Sequence, residues 1–580
     1  MIIQNIKRIK YTKIAVEQFF YIIFIMSNLI EIKMRDNIIL RGLIYLSKNN
    51  LNDNNKCMVI LSISPYRNFE QKESIEIFGK FLSTIPAHYI VMDVRGTGES
   101  DGIDTNEYSQ DEILDTMDCI KYIYMQDWCN MSIMMHGMSY SAFNALQSLE
   151  NIIKPNALFI MHVSNDRFNN DVHYFGGVKT ITEDMNYSYA MTSSNIQPCK
   201  LCNNISRYNY TPHYMKWFEQ SNKNNKAWLN GLIMNNNLPP IFLICGWRDS
   251  YSSSAVKLSN ISTFTLIGPF GHNYPKNHNM ILKEWINILY QNKWCSKLHY
   301  CMVIPTPKSL WKLGYYNIKP FNKDTAIYKT IDINNNITLI PDMVGETLEI
   351  YISGDMVTEP TIERVRNDLR RNQCGYEYII NINDCVWGFP ILTFECVYTK
   401  GDYIVARLTT DTGETLSIGV IKLIDGINIL EMRPFFVPNN IKMHLFLNRS
   451  WIPVLFPTTN MDNINIINIQ LKLPIITEYE ILYIYPPEDD TALLKDIIST
   501  IEYKDNTIIY NANINYDNFK ENLNATFTFG KGTTVIVNDN YNNISTTTTI
   551  ISNKTDTFDV KIKAYNNMDF IKEWYGKYII

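Results

Sequence analysis

A chain of 580 residues is too long for one hydrophobic core and points to roughly three or four domains. With 46% hydrophobic and 19% charged residues it has the makeup of a globular protein in which each domain can bury a core. The formal net charge of −5 removes the electrostatic case for nucleic acid or an anionic membrane as partner. Eleven cysteines, an odd number without framework spacing, fit a reducing compartment and mostly buried thiols. Cys199-Lys200-Leu201-Cys202 is a lone CxxC, and without a second pair at ligand spacing it argues against a metal site.

At the amino end, Lys7, Arg8, Lys10 and Lys13 precede the short apolar run from Phe19 to Met26. The flank resembles a signal peptide, which leaves secretion open. However, no small-residue cleavage site follows, and the run is too short for a stable membrane span. Residues 1–26 therefore read as an extension, and the expected location is cytoplasmic. Leu29–Met34 and Ile38–Leu46 then predict an antiparallel strand pair.

Cys57–Ile63, Tyr89–Val94, Ser132–Met135 and Ala157–Val163 are continuous apolar runs, as expected of strands buried on both faces of a parallel sheet. Helical spacing lies between them at Ile75–Leu82 and Glu107–Tyr124, where Ile113, Met117, Ile120 and Tyr124 form one stripe. Strands alternating with helices predict an α/β fold with a doubly wound sheet. The loop Arg95-Gly96-Thr97-Gly98-Glu99-Ser100 lacks the third glycine and the lysine of nucleotide-binding loops, so it reads as a tight brace for the sheet.

The rhythm stops over 166–237, a Tyr-, Asn- and Trp-rich segment read as a cap, and resumes over 238–297 with strands ending at Asp249 and His272. The catalytic domain is thus 27–165 plus 238–297. Short β-prone segments between Asp/Asn/Gly/Pro turns follow, predicting an all-β sandwich over 298–476 and a further β-rich region over 477–580.

Chemistry concentrates at one stretch. Ser132–Leu146 runs from apolar strand through Gly137-Met138-Ser139-Tyr140-Ser141 into helix-forming residues, the build of a turn that presents a serine hydroxyl above a parallel sheet. Ser139, Asp249 and His272 follow one another in the order nucleophile, acid, base, each at the carboxyl end of a predicted strand. Any one of nine histidines is more often a packing residue, and a lone Asp is more often a turn residue. Three in this order at three strand ends is a much rarer coincidence. His278 is the runner-up base, and His136 reads as packed inside the serine strand. The backbone N–H of Tyr140, with a second donor from the Ser64-Pro65-Tyr66 loop, would receive an oxyanion.

These residues sit in a wider pattern. Asp93-x-Arg95-Gly96-x-Gly98-x-Ser100-x-Gly102, Trp128-Cys129-Asn130, Gly137-Met138-Ser139-Tyr140 and Asp166-Arg167-Phe168 occur in sequence. They are followed by His173-Tyr174-Phe175-Gly176-Gly177, Gly246-Trp247-x-Asp249, Gly268-Pro269-x-x-His272 and Arg449-Ser450-Trp451-Ile452-Pro453. Together they resemble the cocaine esterase / X-Pro dipeptidyl-peptidase family of serine hydrolases over residues 27–580.

The resemblance implies an α/β-hydrolase with a helical cap and a carboxyl-terminal jelly roll of galactose-binding-like type. It also implies Ser139, Asp249 and His272 as catalytic residues, and Tyr66 beside Tyr140 as oxyanion donors. Asp166, His173, Trp247 and Phe270 become pocket candidates. No cofactor or metal is implied, and the partner is a small-molecule ester or amide, or a peptide; no oligomeric state follows. Members range from acyl-ester hydrolases to aminopeptidases releasing X-Pro dipeptides. The latter need an acid for the substrate ammonium, for which Asp166 and Glu183 are candidates. A non-catalytic protein binding through the sandwich is the reading from another class. Ser141 departs from the glycine usual at its position.

Overall fold

The computed structural model describes residues 28–47, 56–68, 85–181, positions scattered through 184–202, 226–233, 237–275, 278–290, 300–333, 336–340, 375–397, 402–449, 451, 454–455 and 462–482, and the backbone of strands within 351–356 and 497–579. The extension at 1–26, the helix expected at Ile75–Leu82 and much of the cap lie outside these residues. Among the described residues no helix is long and apolar enough to cross a membrane.

The apolar runs form the strands of one large sheet: β1 (Asn28–Lys33), β2 (Ile39–Tyr45), β3 (Cys57–Ser64), β4 (Ala87–Asp93), β5 (Cys129–Met138) and β6 (Ala157–Met161). A short cap hairpin follows, β7 (Tyr174–Phe175) and β8 (Val178–Lys179). The sheet then resumes with β9 (Ile241–Gly246), β10 (Phe264–Gly268), β11 (Tyr300–Val303) and β12 (Tyr315–Ile318).

The sheet order is β1-β2-β4-β3-β5-β6-β9-β10-β11-β12, closed by the strand Tyr479–Leu482. β3 through β6 and β9 through β11 pair in parallel, and both ends of the sheet are antiparallel. This is the doubly wound α/β-hydrolase architecture. Period-two alternation divides each strand between two cores. Val59, Leu61, Ile133 and Met135 face one layer, while Met58, Ile60 and Met134 face the other with Trp285.

The first layer contains α1 (Gln110–Tyr124) and α2 (Tyr140–Gln147), and α4 (His278–Tyr290) covers the opposite face; α3 (Ser252–Leu258) follows β9. α1 starts on a capping box, in which Ser109 and Glu112 satisfy each other's backbone N–H. Its buried face is Glu112, Asp115, Thr116, Cys119, Ile120 and Ile123. This is rotated from the Ile113/Met117/Tyr124 stripe read from the sequence, because two of its acids have partners inside. Glu112 accepts from Tyr140 Oη (3.0 Å), and Asp115 takes both forks of Arg95 (2.6 and 2.5 Å).

The sheet continues past residue 297. β11, β12 and Tyr479–Leu482 extend it beyond both boundaries read from the sequence, since edge strands without following helices look like parts of a β domain. Apart from a short hairpin, Tyr351–Ile352 with Asp355–Met356, the remaining strands within 327–476 form two antiparallel sheets. One is built around Ile464–Ile476, the other has Ile441–Asn448 and Tyr403–Thr410 at its centre. They share a core that includes Leu392, Phe394, Leu408, Leu445 and Leu471. Seven consecutive antiparallel strands occupy 497–579.

The double sheet meets the catalytic sheet through Trp247, Ile267, Trp387 and Phe436. It meets the cap hairpin through Phe175, Val178, Val420 and Trp451. Cys199 and Cys202 are joined as a disulfide, an exception to the thiols expected of most of the cysteines. The N–H groups of Lys200 and Leu201 donate to Glu99 (2.8 and 2.7 Å), fastening this part of the cap to the glycine-rich loop.

Candidate active site

The elbow is built by close packing. An added Cβ at Gly137 would lie 2.4 Å from the Ser141 backbone, so only glycine lets α2 fold back onto β5 this tightly. Ser139, between them, is held at φ 57° and ψ −125°, a backbone state that costs about 1–3 kcal/mol and persists only where packing imposes it. Ser141 has a use at the position where glycine is usual. Its Oγ donates to Met138 O (2.9 Å) and accepts from Met138 N (3.0 Å), stapling the turn.

The Tyr66 hydroxyl is bonded to the Ser139 side chain and to the backbone N–H of Tyr140. Burial pushes its pKa up to about 12, the bond to Ser139 opposing this, so the phenol keeps its proton and can donate. The glycine-rich loop supports this corner. Asp93 accepts from Asn68 N (2.8 Å) and Glu99 N (2.9 Å), fixing the chain just beyond Tyr66, and an added Cβ at Gly98 would collide with its carboxylate.

Two adjacent strand ends carry the other candidates. The loops after β9 and β10 are tied through Trp247 N→Gly268 O (2.9 Å) and Arg248 N→Phe270 O (3.2 Å). This tie holds Asp249 and His272 side by side, with His272 Nδ1 2.7 Å from Asp249 Oδ2. Asp249 Oδ1 accepts from Tyr251 N (2.6 Å). Burial alone would raise the Asp249 pKa, but two imidazoles and their hydrogen bonds outweigh it and hold the carboxyl well below the usual range.

The second imidazole is His162, which the sequence reading had placed inside a buried strand. It sits one residue past β6, fully buried, with Nδ1 2.7 Å from the same Asp249 oxygen. The signal that could have found it is its position at the carboxyl end of a parallel strand. The donor atoms of His162, Asp249 and His272 lie within 4.8 Å of one another. Both nitrogen–oxygen gaps are 2.7 Å, hydrogen-bond spacing. Ligands around a tetrahedral zinc sit roughly 3.3 Å apart.

The pocket candidates turn out differently. Phe270 packs in the core beneath the loop tie, while Trp247 donates Nε1–H to Ile304 O (2.7 Å) in the interdomain core and also lines a cleft with Arg248, Thr306 and Trp311. Asp166 pairs with Lys257 (3.3 Å), and Glu183 lies outside the described residues. His278 does not approach Asp249. Its Nε2 meets His136 Nε2 at 3.0 Å, where burial lowers the pKa of both and one neutral ring donates to the other.

His173, read as a pocket residue, belongs to a buried ionic chain instead. Arg167 joins Glu107 (2.7 Å) and Asp171 (2.8 Å), while His173 lies between Glu107 (3.1 Å) and Asp184, which also holds Lys179. Tyr251 links the chain to the site, its hydroxyl donating to Asp171 (3.1 Å) while its N–H holds Asp249. Three carboxylates balance Arg167, Lys179 and His173 only if His173 is protonated. Burial would lower its pKa, but Glu107 and Asp184 outweigh that and push it up to about 9, against an ordinary 6.5.

A raised pKa adds stability below the unfolded value that is lost as pH rises through the folded one. The loss should therefore run from about pH 6.5 through about 9, on the order of 3 kcal/mol. The melting temperature is expected to fall across this window, and His173→Gln is expected to flatten that fall in pH-dependent thermal melts.

Residues 51–264 match the family model described as X-Pro dipeptidyl-peptidase (S15 family). Two structures of a CocE/NonD family hydrolase from Staphylococcus aureus are similar in fold, each with a TM-score of 0.58. They share 13% and 12% identity, and the match covers 78% of this chain and 94% of theirs. No curated protein matches by sequence. The likeness shows an α/β-hydrolase fold, and the matched segment resembles the S15 family.

Proposed function

We propose that this chain is a serine hydrolase of the S15 type that cleaves an ester or amide through an acyl-enzyme, with Ser139 as nucleophile, His272 as general base and Asp249 as its orienting acid. The observation that carries the reading is the His272–Asp249 pair at neighbouring strand ends, in the same parallel sheet whose β5 ends in the strained elbow of Ser139. With Nδ1 committed to Asp249, His272 Nε2 takes the Ser139 proton as the hydroxyl attacks the carbonyl, then passes it to the leaving group. Water repeats the sequence in reverse and frees the acid. Negative charge on the carbonyl oxygen is received by Tyr140 N–H and the Tyr66 hydroxyl. Tyr66→Phe is expected to lower kcat by about 10²–10³ with little change in KM, measured by steady-state kinetics.

Within the family's range, acyl esters fit better than X-Pro amides. An aminopeptidase must neutralise a substrate ammonium with a carboxylate. Asp166 is already matched by Lys257, and Glu107 by Arg167 and His173. A panel of aryl esters and X-Pro amides tests this. Ester turnover well above amide turnover is expected, and preferential release of X-Pro dipeptides would reverse the assignment. An organophosphonate that leaves the folded protein unlabelled would instead favour binding through the double sheet.

A further inference from the structure

Two residues past His272, Tyr274 has no part in the steps above, and 48% of its surface is open. Burial nonetheless pushes its phenol up to about 12, so protein surrounds a ring that solvent still reaches. A ring on the wall of a concavity meets both conditions, whereas one on a convex surface does not. Tyr274 also contributes to the raised pKa of Tyr66, which brings the two hydroxyls near each other, and Tyr66 is bonded to Ser139. The concavity is therefore the one above the elbow. Tyr274 is close to the proposed base along the chain and to the proposed oxyanion donor through space.

The ring is also held from behind. His136 of β5 lies parallel to it (6.2 Å between centres, 6°), and His278 at the start of α4 meets it edge-on (4.7 Å, 70°). These two buried imidazoles are joined at Nε2, 3.0 Å apart. His278 Nδ1 is 3.2 Å from Asn279 Oδ1, which only accepts, so that nitrogen carries the proton and His136 is the donor between the rings. His136 rests in turn on Phe159, and His278 N–H closes the turn onto Pro275 O (2.7 Å). An aromatic side chain fixed this way has already lost the freedom that binding would otherwise cost it.

We propose that Tyr274 forms the wall of the substrate pocket on the leaving-group side and selects esters whose alcohol carries an aromatic ring. This rests on the proposed roles of Ser139 and His272. His272 returns its proton to the leaving-group oxygen, so that oxygen comes within hydrogen-bond reach of the imidazole. The atoms beyond it continue past His272, where the open side chain is Tyr274. An aromatic group there packs against the tyrosine ring offset or edge-on, and such pairs gain more than their buried area alone. A short alkyl group gains little.

Benzyl and propyl acetate separate the two cases, because they share an acyl group and their alcohols are similar in acidity. The protein is expected to prefer benzyl acetate in kcat/KM. Tyr274→Ala is expected to lower the benzyl-to-propyl ratio by roughly five- to tenfold. Tyr274→Phe, which keeps the ring, should preserve it. A ratio unmoved in Tyr274→Ala overturns the inference even if both rates fall, since a merely structural role would lower them together. A ratio lost equally in Tyr274→Phe overturns it too, by assigning selection to the hydroxyl. Calorimetry in the Ser139→Ala background reads the same contact without turnover. Adding Tyr274→Ala should weaken benzyl acetate binding roughly five- to tenfold, and equal binding overturns the inference. Hydrolysis surviving Ser139→Ala would instead defeat the triad reading, and the binding comparison would still decide the wall.

Discussion

Ser139→Ala is expected to lower kcat by about 10⁴–10⁶ and leave the fold intact. The loss is large because the proposed serine, imidazole and carboxylate act as a unit: without the hydroxyl there is no acyl-enzyme for His272 and Asp249 to promote. What survives is binding and the oxyanion donors. Stability should hardly change, since alanine fits the space and the strained turn is imposed from outside by Gly137 against Ser141 and by the Ser141 staple. The bond to Tyr66 is lost with the hydroxyl. Ester turnover and a thermal melt on the same preparation check both halves. A large fall in melting temperature alongside the lost activity would mean that the serine is structural.

Arg167→Met is expected to be the most destabilising single change, by about 3–5 kcal/mol. The guanidinium is fully buried, bonded to Glu107 and Asp171, and lies 4.6 Å over the Tyr108 ring. Methionine fills part of the volume but leaves two buried carboxylates short of their cation. His173 and Lys179 remain, yet both are already engaged with Asp184, and His173 alone would be left to Glu107. Because Asp171 accepts from Tyr251, and Tyr251 N–H holds Asp249, the damage should reach the active site, with activity falling at temperatures where the protein is still folded. Denaturant unfolding gives the stability loss, and kinetics well below the melting point give the second effect.

Much of the fold is legible because buried parallel strands write themselves as unbroken apolar runs, as in Cys57–Ile63 and Ala157–Val163, and because chemistry gathers where such runs end. The elbow is legible for a related reason: small residues at 137 and 141 are a steric requirement of strand and helix meeting at an acute turn. The same logic hides His162, one residue past the end of a run and absorbed into it by eye. Periodicity misplaces the buried face of α1 because Glu112 and Asp115 count as polar, whereas Tyr140 and Arg95 make their burial favourable. His173 reads as a pocket residue because nothing local announces Glu107 and Asp184, 66 and 11 residues away along the chain. Three sheet strands beyond residue 297 read as parts of the β domain, since hydrogen bonding across a sheet edge leaves no trace in local sequence.

The proposed mechanism is tested most directly by treating the folded protein with an organophosphonate and locating the adduct by peptide mass spectrometry. A single stoichiometric adduct on Ser139 is predicted, absent from Ser139→Ala and formed far more slowly in Asp249→Asn, where His272 loses its anionic partner. An adduct on a different residue, or none on a protein whose fold is intact, would contradict it.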